Sequence, residues 1–281
     1  MLESMQNLLK EAYASGYAVG AFNTYNYESI CTVIQSADEL ECPAIVAFGE
    51  NVCDVMDLGA VAAIVNVLTM NMKTPIALHL DHAKSLPVII QAIRAGFTSV
   101  MFDGSGLSLA DNIDKTRKIV EIAHAVGVSV EAELGAVAAG TDTDEENADE
   151  QLTDPQSAKM FVEETGVDAL AVSIGTVHGN YKGYPKIDIP RLREIHQAVD
   201  IPLVLHGGSG TPESVLRETI TNGVSKVNIN TEISTHAVNS VRSLLQGEAG
   251  VHFSHVSRTA RDAMKAPIQF YMSLLRMQKV F

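Results

Sequence analysis

Eight times along the chain a short apolar run gives way to a loop and then to an amphipathic segment. The runs are YAVGAFN (17–23), PAIVAFG (43–49), PIALHLD (75–81), SVMFDG (99–104), VSVEAEL (128–134), DALAVSIG (168–175), PLVLHGG (202–208) and KVNINT (226–231). Helical candidates follow them near 26–41, 57–72, 86–95, 109–126, 155–165, 190–199, 212–222 and 232–246, and a last one covers 256–277. Strand and helix alternating at a spacing of about 30 residues predict parallel strands, and eight such units suggest a (β/α)8 TIM barrel. A doubly wound open sheet is the competing α/β arrangement, but its Gly-rich first turn is missing after YAVGAFN. Residues 1–281 are expected to form one such domain with an extra C-terminal helix.

Local punctuation agrees. Pro43, Pro75 and Pro202 stand at strand starts, where a missing N–H costs little. Thr153-Asp154-Pro155 and Thr211-Pro212-Glu213 each place a capping side chain and a proline at a first helical turn. The segment GAVAAGTDTDEENADEQ (135–151) breaks the rhythm, being long, acidic and rich in Gly and Ala between strand five and its helix. A loop this long in a compact domain is functional or disordered.

The net charge of −14 argues against nucleic acid or an anionic membrane surface as a partner, while backbone N–H groups can still bind a phosphate. No stretch approaches the roughly 20 apolar residues of a membrane span. The first 20 residues mix acidic with apolar positions and read as an amphipathic helix rather than a signal peptide. Cys31, Cys42 and Cys53 form no close pair, as expected of small buried residues in a reducing cytoplasm.

In a barrel of this kind the chemistry sits at the C-terminal ends of the strands. Here Asn23 ends strand one, Asp81-His82 strand three, Asp103 strand four, and Glu131 and Glu133 strand five. Strand six runs into GTVHG with His178, strand seven ends in His206, and strand eight carries Asn228, Asn230 and Thr231. Three histidines at the same end of three strands, with carboxylates between, predict a metal site, since three neutral imidazoles and one open position suit a catalytic zinc. HGGSG (206–210) and NINTE (228–232) are βα turns of the kind that bind phosphate through backbone N–H groups; tight turns that need glycine for backbone reasons are the other explanation. In ALHLDHAK (77–84) a regular strand would send Asp81 and His82 to opposite faces, so both serve one site only if the strand ends there. His79 then lies further down the barrel.

The ordered set GAFNTYN (20–26), ALHLDHAKS (77–85), SVMFDGS (99–105), VEAELG (130–135), LTDPQSAKMFVEETGVDALAVSIGTVHGNYKG (152–183), PKIDIPRLREI (185–195), VDIPLVLHGGSG (199–210) and GVSKVNINTE (223–232) resembles the class II, metal-dependent ketose-bisphosphate aldolases. The resemblance implies that His82, His178 and His206 bind zinc, and that Asp103 and Glu133 are carboxylates able to hold a second or displaced metal. It implies that Asp81 moves the proton of the aldehyde-side oxygen. Gly179, Gly207, Gly208, Ser209, Asn228, Asn230 and Thr231 fall on the dihydroxyacetone-phosphate pocket, Lys182 lies in the loop framing it, and Asn23 joins the substrate site. It further implies a monovalent cation (Na+ or K+) beside the phosphate, a phosphorylated sugar substrate and a homodimer or homotetramer. Zinc would act as a Lewis acid that stabilises the enediolate of the ketone half.

Three places depart from the family pattern. The family's proton-moving glutamate after ELG falls on Thr141, so Asp142, or Glu145 or Glu146 in a shifted register, are the candidates for that role. The Gln-x-Ser end of strand two is Ala47 and Gly49, and the arginine for a second phosphate is Arg258 or Arg261. All three lie on the aldehyde side or in the proton-transfer loop, which points to an aldehyde partner other than glyceraldehyde 3-phosphate. The alternatives are a non-catalytic aldolase-like scaffold, which would need neither the histidines nor Asp81, and a metal-dependent hydrolase on the same fold.

Overall fold

All eight apolar runs become strands of one closed parallel barrel. A computed structural model describes residues 1–143, 151–247 and 250–277. In chain order the elements are α1 (Met5–Ser15), β1 (Val19–Asn23), α2 (Tyr27–Glu39), β2 (Ala44–Gly49), α3 (Leu58–Thr69), β3 (Ile76–Ala83), α4 (Leu86–Ala95), β4 (Ser99–Phe102), α5 (Leu109–His124) and β5 (Ser129–Leu134). They continue with β6 (Ala138–Ala139), α6 (Pro155–Thr165), β7 (Ala169–Val172), β8 (Val177–His178), α7 (Ile189–Ala198), β9 (Leu203–Leu205), α8 (Glu213–Thr221), β10 (Val224–Ile229), α9 (Thr231–Gly247) and α10 (Phe253–Leu275). Around the barrel the order is β1-β10-β9-β7-β5-β4-β3-β2, so the last strand pairs with the first.

Alternation along each strand divides the side chains into two sets. Phe22, Val46, Phe48, Leu78, Leu80, Val130, Leu170 and Leu205 join the core between the barrel and its helices. The residues between them face the barrel axis, and their character changes along that axis. At the floor Val19, Ala21, Ile45, Ala77, Ala169 and Val204 pack against Met5, Leu8 and Leu9, so α1 plugs the N-terminal end of the barrel. Two residues further along the same strands the inward positions turn polar: Ala21 gives way to Asn23, Ala77 to His79 and Asp81, Val204 to His206. Fully burying Met5 and Leu9 contributes about 2 kcal/mol each from the apolar area removed from water.

Several boundaries differ from the sequence expectation, each for a local reason. Pairing in β4 and β9 stops at Phe102 and Leu205, so Asp103 and His206 stand just beyond their strands. Strand β3 does the opposite and runs on to Ala83. Asp154 caps α6 through Ser157 N, with Pro155 in the first turn. Thr211 does not cap α8; its hydroxyl donates to Gly207 O (3.1 Å) and pairs with the Tyr181 hydroxyl (2.8 Å). The first part of the 135–151 segment is structured: β6 pairs in parallel with β8, and Thr141 bridges to Asn180. Glu145 and Glu146 lie outside the described residues. Among the described residues no helix is long and apolar enough to cross a membrane.

Candidate metal centre and active site

The path of β3 places two consecutive side chains in one pocket. Opposite β4, Leu80 pairs with Val100 and Ala83 with Phe102, so Asp81 and His82 together face the single residue Met101. This is a bulge, with His82 in the left-handed region at φ 47°. The strand therefore does not have to end at Asp81, as the sequence suggested; the bulge turns His82 to the side that Asp81 already faces, and both line the same cavity.

His178 reaches that cavity from β8; His206, in the turn after β9, is not in its lining, but its ring packs against those of His82 and His178. The two turns interlock, because a Cβ on Gly207 would stand 2.2 Å from Val177 O. The rings of His82 and His206 have centroids 4.5 Å apart, His82 and His178 5.1 Å, and His178 and His206 5.8 Å. One nitrogen from each of the three lies within 4.8 Å of the others.

Hydrogen bonding distinguishes the nitrogens. His206 Nε2 faces Glu131 Oε1 at 3.0 Å inside the barrel. Its Nδ1 is buried without a hydrogen-bond partner, 3.3 Å from Glu133 Oε2, which is also unsatisfied. Buried polar atoms are normally paired, so these two orphans facing one cluster are placed as ligands of a cation would be. His82 Nδ1 meets Asp103 Oδ2 at 3.1 Å and Glu133 Oε2 at 3.9 Å, and His82, Asp103 and Glu133 form a second group with metal-ligand spacing. Asp103 also accepts from Ser105 N and Oγ at 3.1 and 2.6 Å; burial would raise its pKa, but these bonds and His82 hold it well below the usual carboxylate range. Burial, then the charges on His82 and His206, keep His178 far below the usual histidine value, hence neutral and able to ligate. His206 goes the other way: burial and His82 lower its pKa, yet the Glu131 and Glu133 carboxylates raise it further, so a proton competes for Nδ1.

Asp81 is buried between two amides, accepting from Asn23 Nδ2 at 2.9 Å and from Asn228 Nδ2 at 3.1 Å. Burial favours its neutral form, but His82, Lys226 and His206 outweigh this and hold the carboxyl far below its ordinary range. Asp81 is therefore ionised at neutral pH and can accept a proton.

Beneath Asp81 and His206 lies a charged group that sequence reasoning missed. Lys226 is fully buried, with Nζ 2.7 and 3.0 Å from the two oxygens of Glu131. His79 completes the group, held at Nδ1 by Ser99 Oγ (2.9 Å), with Nε2 3.7 Å from both Asp81 and Glu131. Burial raises the Glu131 pKa, but Lys226 and His206 bring it down to about 2. The signal was present in the sequence: in VSKVNIN (224–230) a period of two puts Lys226 on the same face as Asn228 and Asn230.

The cavity is lined by Asn23, Asp81, His82, Thr143, His178, Gly179, Gly207, Ser209, Asn228, Asn230 and Thr231. The two glycine turns meet there, and Ser209 Oγ ties them together by accepting from Asn230 N (3.2 Å) and Glu232 N (3.3 Å). Gly208 is not in the lining; its Cβ position lies 2.5 Å from Val227 Cγ1, so close packing excludes a side chain there. Lys182 is exposed and outside the lining. Asp142 sits at φ 58°, accepts from Asn180 Nδ2 at 3.0 Å and lines an adjoining outer cavity with Tyr25, Thr143, Asn230, Thr231 and Ser234. Of this arm Thr143, not Asp142, reaches the inner cavity.

On the side of β2, Ala47 and Gly49 close the strand, and a Cβ on Gly49 would stand 2.3 Å from Asn51 Oδ1. Glu50 Oε2 accepts from Lys84 N (2.6 Å) and Ser85 N (3.2 Å), anchoring the turn after His82. Arg258 and Arg261 are exposed on α10, the latter against Asp262, and neither lines the cavity.

Fold and site together define a (β/α)8-barrel enzyme with a candidate metal centre at the C-terminal ends of its strands. Residues 3–279 match the model of the family described as fructose-bisphosphate aldolase class-II. The chain belongs to that family and is a class II aldolase. Among solved structures it is similar to the YdjI aldolase from Escherichia coli K12, with 31% identity, a TM-score of 0.86 and coverage of 98% of this chain and 97% of that one. It is also similar to a fructose-bisphosphate aldolase from Campylobacter jejuni, with 25% identity, a TM-score of 0.80 and coverage of 98% and 95%.

Proposed function

We propose that this aldolase is zinc-dependent and cleaves a ketose phosphate into dihydroxyacetone phosphate and an aldehyde other than glyceraldehyde 3-phosphate. The observation that carries the reading is the juxtaposition of the His82, His178 and His206 cluster, in which His206 Nδ1 is orphaned, with Asp81, fixed by Asn23 and Asn228 in the cavity that His82 and His178 line. His82, His178 and His206 would hold the metal, with Asp103 and Glu133 available to a second or displaced ion. Bound there, zinc supplies a Lewis acid to the ketone half of the substrate. Three neutral imidazoles would leave its charge undiminished.

The residues divide the remaining work. Asp81 takes the proton of the C4 hydroxyl as the C3–C4 bond breaks and the aldehyde departs, leaving the bonding electron pair on the ketone half. Its ionised state and fixed orientation suit that role. The turns carrying Gly179, Gly207, Gly208, Ser209, Asn230 and Thr231 would take the ketone phosphate, with a monovalent cation (Na+ or K+) beside it and Lys182 framing the loop. That anchor supplies binding energy away from the reacting carbon and orients it. Asp142 is the described candidate for moving the C3 proton and would have to leave Asn180 to do so.

The choice of aldehyde rests on what the other side of the cavity offers. Strand β2 presents Ala47 and Gly49, and the described lining contains neither lysine nor arginine for a second phosphate. The test is retro-aldol activity on fructose 1,6-bisphosphate and tagatose 1,6-bisphosphate beside a panel of ketose 1-phosphates. Turnover of the monophosphates with slow cleavage of both bisphosphates is expected. Efficient and exclusive cleavage of either bisphosphate would overturn the aldehyde assignment.

A further inference from the structure

We propose that Lys226 is a positioning residue for the metal centre, which acts through Glu131 to fix the orientation and tautomer of His206. This rests on the zinc reading above and extends it to two residues, Lys226 and Glu131, outside both the cavity lining and the groups with metal-ligand spacing.

The geometry sets the order of contacts. Lys226 Nζ lies 2.7 Å from Glu131 Oε2 and 3.0 Å from Oε1, so one ammonium spans both oxygens. The same Oε1 faces His206 Nε2 at 3.0 Å. A carboxylate held by an ammonium can only accept from the imidazole, so His206 Nε2 carries the hydrogen and the lone pair is left on Nδ1. Nδ1 is the orphaned atom, facing Glu133 Oε2, the same oxygen that lies 3.9 Å from His82 Nδ1.

Charge makes Lys226 necessary to this arrangement. Lys226 and Glu131 are both fully buried, and a buried carboxylate without a counter-ion is strongly disfavoured. Glu131's other close neighbour, His79, is 3.7 Å away and makes no hydrogen bond to it. With Lys226 removed, the carboxylate would be free to turn off His206, and the ring with it. The placement is also specific: Lys226 and Asn228 are alternate residues of β10, so one strand serves both His206, through Glu131, and Asp81 directly. A floor residue needed only to fill space would be apolar, as Val19, Ile45 and Val204 are one layer below.

The experiment compares zinc affinity, by chelator competition, and the visible spectrum of the cobalt-substituted enzyme in wild type, Lys226→Met, Glu131→Gln and the double variant. Lys226→Met is expected to lower zinc affinity about 10- to 100-fold, the range seen when outer partners of a ligating histidine are removed, and to alter the cobalt bands. The double variant keeps a carbonyl acceptor for His206 Nε2 without a buried charge, and its affinity should return to within a few-fold of wild type. Unchanged affinity and bands in Lys226→Met, or a loss in the double variant equal to the sum of the single losses, would overturn the proposal and leave Lys226 as packing. If Lys226→Met does not fold, the histidine 15N spectrum of the wild-type protein decides. Hydrogen on His206 Nε2 with metal on Nδ1 is required, and the opposite tautomer excludes the proposal. Wild-type zinc binding that survives His206→Ala would instead overturn the metal assignment itself, while the metal-free tautomer would still report on Lys226 and Glu131.

Discussion

Asp81 and His82 are consecutive in the chain, yet both face one cavity because His82 sits in the left-handed region inside a bulge. One strand end thus delivers a carboxylate and an imidazole side by side, with Asn23 and Asn228 holding the first and Asp103 the second. The separation of partners implies separable roles. Asp81→Ala should leave zinc content at one ion per chain while lowering kcat by about 10²- to 10⁴-fold, the usual contribution of a positioned acid-base group. Metal analysis and steady-state kinetics on the same preparation check this, and a parallel loss of zinc would place Asp81 among the ligands.

Replacing His206 should have the opposite profile. His206→Ala removes the orphaned Nδ1 and leaves Glu131 and Glu133 facing a gap. Zinc affinity is expected to fall by more than the ~100-fold that follows loss of an outer partner. Stoichiometric zinc with full activity in this variant would remove the site assignment.

His79 is expected to make the protein's stability sensitive to acid. Chiefly burial, then Lys226, push its pKa down to about 4, while an unfolded histidine titrates near 6.5. Between those values the unfolded chain binds a proton that the folded one does not, so stability falls as pH is lowered through this window and is fully present above it. The slope is about 1.4 kcal/mol per pH unit, on the order of 3 kcal/mol in total. Urea unfolding of metal-free protein at pH 7 and pH 4 should show a smaller pH effect in His79→Asn by about that amount. Equal slopes in the two proteins would show that the histidine is charged in the fold.

Tyr271 on α10 reaches the glycine turns from outside the barrel, where its hydroxyl donates to Glu232. Burial, then Glu232, raise its pKa, so it stays a donor. Glu232 N in turn donates to Ser209 Oγ, so the last helix braces the turn proposed to bind phosphate. Tyr271→Phe should raise KM for the ketone phosphate several-fold with little change in kcat, and cost about 1 kcal/mol of stability for one lost bond. A fall in kcat at constant KM would contradict a bracing role.

The strands and helices were legible because α/β alternation leaves a strong periodic signal, and the residues that converge on the candidate site because polar side chains interrupt strands that are otherwise apolar. What was not legible has specific causes. The bulge at His82 comes from the register of β3 against β4, which no property of ALHLDHAK encodes locally. The β6–β8 pairing joins residues about 40 positions apart through a loop that composition alone marks as irregular. Lys226 is hard to see because a lysine that opens an apolar run such as KVNINT ordinarily reads as solvent-exposed; only its period with Asn228 and Asn230 points inward.

The β6–β8 pairing also yields a prediction about the loop that carries Asp142. Thr141 N donates to Asn180 O (3.1 Å) and Asn180 N to Thr141 O (2.7 Å), so this arm is stapled to the residues just after His178. Gly179 lies between, at φ 97°, where a Cβ would stand 2.3 Å from Thr141 O. Gly179→Ala must therefore pay both for the backbone conformation and for displacing the arm, about 1–3 kcal/mol for a residue forced into such a region. The strain can be relieved only by moving the arm off β8 or by turning β8 itself. The first would free Asp142 from Asn180, and the second would shift His178. Solvent exchange at C3 of dihydroxyacetone phosphate and zinc affinity separate these outcomes, and the arm is expected to give way because β6 is only two residues long, whereas His178 is packed among the other two histidine rings. Exchange should then fall about tenfold or more while zinc binding stays within a few-fold of wild type. Loss of zinc with exchange per bound metal unchanged would show that the arm is the more rigid partner and that Asp142 does not move the C3 proton from it.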